Sequence, residues 1–128
     1  MAEMSNYLET ALINATLRNT SYTSPTTVYV GLYTSDPTDA GSGTEVSGGS
    51  YARTAVTFGA PSGGVSTNSA AVEFPQATGS WGTVAYIGIL DASTSGNLLY
   101  HTALDASKTI ASGDVFRIAT GSLSVTLA

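Results

Sequence analysis

Beyond residue 26 every apolar stretch of the chain repeats with a period of two, and one segment alone, at the amino terminus, repeats with the period of a helix. That pattern restricts the fold to strands with one helical appendage. Leu8, Ala11, Leu12 and Ala15 recur at i, i+3, i+4 and i+7, and Asn6 followed by Glu9 offers a cap, so the spacing predicts a helix over about residues 6–18. Val28, Val30 and Leu32 then alternate with Tyr29, Gly31 and Tyr33, a strand with apolar bulk on both faces. Residues 51–59 alternate again, and the turn residues Ala60 to Gly64 suggest a hairpin into a strand over 65–74. Residues 83–90 are almost continuously apolar, as in a strand buried on both sides, and are expected at the centre of the core. A strand over 98–104, a polar connection over 107–114 and a final strand pair at 115–118 and 123–127, with Gly121 between them, complete the reading. The fold class is all-β: a single β-sandwich or small jelly roll of about seven strands, over about residues 26–127, with one short N-terminal helix. One domain spans residues 1–128, with no internal repeat.

The chain has no cysteine, which removes disulfides, thiolate metal sites and cysteine nucleophiles. Charged residues make up only 10% of it, the net charge is −5, and Arg18, Arg53, Lys108 and Arg117 are scattered. A nucleic-acid partner needs a basic footprint and an anionic membrane surface needs basic clusters, so neither is expected. No apolar run reaches the roughly 18 residues of a membrane span, and the amino terminus lacks the layout of a secretion signal.

The candidates for chemistry are few. His101 is the single histidine, but no nucleophile motif surrounds any serine, so it reads as a structural or interface residue. Asp36, Asp39 and Glu45 lie in a long aperiodic loop over residues 36–50; their spacing does not match an EF-hand, and a solvated or partner-facing loop is the simpler reading. The loop glycines form no phosphate cradle. Trp81 between Gly79 and Gly82 suits either a sugar-stacking platform or a core or interface anchor. No catalytic, cofactor or metal residue is expected. A chain rich in Tyr, Ser and Thr with a single lysine to blunt its strand edges is suited instead to lateral protein contact. The expected contact residues are Leu8, Leu12, Tyr29, Tyr33, Asp36, Asp39, Glu45, Tyr51 and Trp81.

Several runs occur in a recognisable order: ALINATL from Ala11, YTSPTTVYVGLYTSDPT from Tyr22, EVSGGSYAR from Glu45, NSAAVEFPQA from Asn68, WGTV from Trp81 and GNLLY from Gly96. Over residues 8–127 the chain resembles a family of small tailed-bacteriophage virion proteins often labelled tail-fibre-like, and it is similar to head-decoration, or cement, proteins. The resemblance implies a non-enzymatic structural protein without cofactors, located in the virion and on the capsid exterior rather than the tail. Its implied partners are the major capsid protein, whose outer lattice it would bind and stabilise, and itself as a dimer or trimer. Two alternatives accompany this: a tail fibre or baseplate adaptor, and a carbohydrate-binding module for host adsorption with Trp81 and the tyrosines as its platform.

Overall fold

The computed structural model describes residues 2–127; Met1 and Ala128, the ends of the expected domain, lie outside the described residues. In chain order the elements are β1 (Glu3–Met4), α1 (Asn6–Leu17), β2 (Val28–Tyr33), β3 (Thr54–Val56), β4 (Val65–Thr67), β5 (Val72–Glu73), β6 (Gly82–Leu90), β7 (Leu98–Ile110), β8 (Arg117–Ile118) and β9 (Ser124–Thr126). No helix among the described residues is long and apolar enough to cross a membrane.

The main sheet has the order β1-β7-β6-β2-β3 and is antiparallel throughout. Its centre is β6, as the apolar run over 83–90 predicts. One face carries Val30, Leu32, Ile87 and Ile89, and against it the ribbons β4–β9 and β5–β8 bring Val72, Phe74, Phe116, Leu123 and Val125, all in one buried cluster. This is the sandwich-like, all-β arrangement that period-two patterning requires. The opposite face carries Gly31, Tyr33, Gly88 and Leu90, where the alternation of side chains puts the second half of each strand's residues. On this side α1 packs on β7 and buries Leu8.

Several local expectations are corrected. The helix is capped by Ser5, whose hydroxyl accepts from the Leu8 N–H (3.2 Å) and donates to the Leu98 carbonyl (2.5 Å), so Asn6 is already the first helical residue. Within the alternating residues 51–59 the regular strand is only β3, which pairs with β2, while the expected hairpin is kept further on: Gly59 N–H donates to Thr67 and Ser69 N–H to Thr57, both at 2.9 Å, across the turn closed by Ser62 and Val65. The expected strand over 65–74 is split at Asn68. Its buried amide donates to the Ala70 and Ala119 carbonyls (2.9 and 3.0 Å) and accepts from the Leu123 N–H (2.9 Å), satisfying irregular backbone that a continuous strand would not present. The two final strands therefore pair with β5 and β4 respectively, and not with each other.

The polar stretch read as a connection from residue 107 remains in β7 as far as Ile110. Residues Asp105 to Thr109 are exposed and Ile110 turns back into the core. Opposite β6 the register passes from Val84↔Lys108 to Tyr86↔Ala103, so the four residues Leu104–Ser107 stand across from the single Ala85 as a multi-residue bulge. Such a bulge hides the strand from a period-two reading.

Candidate functional site

Two polar clusters sit on the helix-bearing side of the main sheet, at the end where the 36–50 loop, the turn after β6 and the amino-terminal strand meet. The first grows from β2. Gly31 has no side chain, and a Cβ there would stand 3.0 Å from Glu45 Oε2, 3.3 Å from the Tyr51 hydroxyl and 2.9 Å from Leu90 Cδ1. Into the space so left, Arg53 places a bidentate pair on Glu45: Nε to Oε2 at 2.9 Å and Nη2 to Oε1 at 2.8 Å. Its remaining nitrogen donates to the carbonyls of Ala92 and Ser95 (3.0 and 2.7 Å) in the turn between β6 and β7. Tyr51 donates to Glu45 Oε2 (2.6 Å) and accepts from the Leu32 N–H (2.9 Å). One guanidinium thus ties three segments of chain together.

The 36–50 loop is a built element. Thr34 N–H donates to Thr44 and Val46 N–H to Leu32, both at 2.9 Å, closing the loop's base onto the end of β2. Inside it, Asp36 accepts from the Thr38 N–H (2.9 Å), Ser42 N–H donates to Pro37 (2.6 Å), and Gly43 passes so close to the backbone that a Cβ would stand 2.6 Å from the Ser35 carbonyl oxygen. Closed at this base and packed on itself, the stretch 34–46 is an Ω-loop whose side chains are for the most part exposed.

The second cluster surrounds His101 on β7. Its Nε2 donates to Asp39 Oδ1 at 2.8 Å and lies 3.9 Å from Glu3 Oε2, while Asp36 Oδ1 stands 3.9 Å from Nδ1. The ring is only 6% exposed. Glu3 arrives there because β1 pairs Glu3 opposite His101, and Asp39 because its carbonyl accepts from the Asn6 N–H (2.8 Å) at the start of α1. Between the clusters lies a polar cavity of about 500 Å³, lined among others by Tyr7, Tyr33, Asp39, Arg53 and Asn97.

Burial sets the electrostatics of the first cluster. At Glu45 burial pushes the carboxyl up, but the hydrogen bonds from Arg53 and Tyr51, with the Arg53 charge, outweigh it and hold the group below the ordinary glutamate value. Burial, and then the Glu45 charge, raise Tyr33 to about 12. Burial and its donation to Glu45 raise Tyr51 as well.

The pH dependence of stability follows with opposite signs at the two ends. The contribution of Glu45 is full above the unfolded value of 4.5 and is lost as pH falls through its lower folded value. That of Tyr33 is full below 10 and is lost as pH rises toward about 12. Melting temperature measured against pH is therefore expected to fall at both ends, and Glu45→Gln to flatten the acid limb; an unchanged acid limb in that variant would assign the loss to other carboxylates.

The expected contact residues are divided by the structure. Leu8, Tyr33 and Trp81 are 4, 5 and 4% exposed and belong to the interior, so the exposure expected of them is corrected. Trp81 donates its indole N–H to the Gly49 carbonyl (2.9 Å) and meets the half-buried Tyr51 edge-on at 5.4 Å; Tyr51 in turn stacks on Phe74 at 6.3 Å. A glycan platform made of Trp81 and Tyr51 is thereby overturned, because both rings face protein. Leu12 and Tyr29 are half-buried, Glu45 is engaged by Arg53, and Asp36 and Asp39 are exposed. The aliphatic side chains that face outward on α1 are Ile13 and Leu17, 55 and 79% exposed, beside the exposed ring of Tyr7. They lie off the Leu8–Leu12 stripe that defines the buried face, and that displacement was the signal for them.

No curated protein matches the chain. A family model does: the one described as Podophage GP4 fiber I protein gp80 matches residues 3–126, which include both clusters and all the strands. The chain therefore belongs to this family of phage fibre-related virion proteins.

Proposed function

We propose that the protein is a fibre-side structural unit of the virion, a rigid adaptor that acts by protein contact and not by catalysis. The observation that carries this reading is the family match over nearly the whole described chain, to a protein whose description is that of a fibre. The geometry is in keeping with it. The acidic, basic and phenolic groups of the first cluster are hydrogen-bonded to one another and to backbone, which suits holding a loop more than turning over a substrate. Apolar side chains are left facing outward on α1, as an adaptor surface needs.

Capsid decoration is the second reading. It is favoured by the absence, among the described residues, of any shaft-forming element, the one helix being 12 residues long. In that case the partner would be the major capsid protein, with the chain as a dimer or trimer and its modest contact multiplied over the lattice. Quantitative mass spectrometry of purified virions, followed by separation of heads from tails, decides between them. A small fixed copy number that travels with the tails is expected. A ratio to the major capsid protein of about one, or about one third, on the heads would transfer the protein to the capsid, and its absence from virions would end both readings.

A further inference from the structure

We propose that Glu3, Asp39 and His101 form a binding site for a divalent transition metal, with zinc the ion their chemistry fits best. The three residues are far apart in the sequence and reach one place from three elements: β1, the 36–50 loop and β7. One ligand atom from each, a carboxylate oxygen from Glu3 and Asp39 and a ring nitrogen from His101, lies within 4.8 Å of the others. Zinc bound at about 2.0–2.2 Å needs its ligands some 3.3–3.5 Å apart. His101 Nε2 and Asp39 Oδ1, 2.8 Å apart, would have to part by about half an ångström to meet that, and Glu3, 3.9 Å from Nε2 and 71% exposed, would have to swing inward.

The surroundings are those of a metal centre and not only of an ion pair. Nε2 is already turned toward the two carboxylates, and a cation would take the place of the proton it now shares with Asp39. On the other side of the ring Asp36 Oδ1 stands 3.9 Å from Nδ1, not hydrogen-bonded to it but on the side from which a carboxylate would orient a metal-bound imidazole after a small approach. Among the described residues no Lys or Arg pairs with Glu3, Asp36 or Asp39, so three carboxylates converge on one buried ring without a fixed cation to compensate them. A divalent ion would supply that compensation. A solvent-open cavity of about 450 Å³, lined by these four residues with Asn6, Thr38 and Ala40, offers an entry path and room for a water as fourth ligand. An imidazole among the ligands favours zinc over calcium or magnesium, which take oxygen. In a chain without cysteine, the ion would staple the amino-terminal strand and the Ω-loop to the main sheet.

The test uses the full chain without a polyhistidine tag, treated with chelator and then titrated with zinc chloride by calorimetry and by thermal melting at about pH 7.5, with calcium and magnesium in parallel. Zinc is expected to bind at a one-to-one ratio and raise the melting temperature. Glu3→Gln and Asp39→Asn, both at exposed positions, are expected to weaken binding by at least about tenfold, and His101→Gln to abolish it. If His101→Gln does not fold, the two carboxylate variants still decide the matter. No binding up to about 1 mM zinc, equal affinity in the carboxylate variants, or a preference for calcium or magnesium would each overturn the assignment.

Discussion

Trp81→Ala is expected to lower the unfolding free energy by about 3–5 kcal/mol, the range for removing a large aromatic from a packed core. The ring fills space between the main sheet and the 48–51 turn, where it meets Tyr51 edge-on and holds the Gly49 carbonyl. Tyr51 stacks on Phe74, which meets Phe116 edge-on at 5.6 Å, so the void would open at one end of an aromatic row across the core. For a domain of this size the loss is a large share of the total stability, commonly 5–15 kcal/mol. Urea denaturation followed by circular dichroism measures it, with an unchanged slope showing that compactness is retained. Trp81→Phe is expected to recover most of the difference, lacking about 1 kcal/mol for the hydrogen bond to Gly49. A loss below about 1 kcal/mol in the alanine variant would mean that the ring is not a core element.

Arg53→Met is expected to cost about 3 kcal/mol, near the lower end of what breaking a buried pair costs. The methionine keeps much of the packing but leaves Glu45 with Tyr51 as its remaining side-chain donor, and leaves the Ala92 and Ser95 carbonyls without theirs. Glu45 retains some access to water at 23% exposure, which places the effect at the lower end. Adding Glu45→Gln to Arg53→Met should return part of the loss, because the stranded charge disappears with it. The double-mutant cycle in urea measures that coupling, and strict additivity would show that Arg53 acts through its carbonyl contacts alone.

These two side chains also show how far the sequence could be read. Neither carried its role in its local pattern. Trp81 between glycines suits a surface ring as well as a core anchor, and only the arrival of Gly49 and Tyr51 from another part of the chain decides for the core. Arg53 reads as one scattered cation until Glu45, eight residues earlier, is folded back over Gly31. Asp36, Asp39 and Glu45 read as one acidic loop, but the fold separates them: Glu45 turns to Arg53, and the two aspartates turn to His101, more than 60 residues away, where Glu3 joins them. Loop spacing could not reveal that set, because its members come from three elements.

What the sequence by itself determined is the all-β class, the single helix, β6 as the centre of the core and β2 as a strand with apolar bulk on both faces. Those follow from the alternation and continuity of apolar side chains, a local property that needs no knowledge of partners. Tertiary structure decided which strands pair, where Asn68 interrupts one and a bulge lengthens another, and which polar groups meet. Those outcomes rest on long-range hydrogen bonding and on the requirement that every buried polar group find a partner, which no window of neighbouring residues contains.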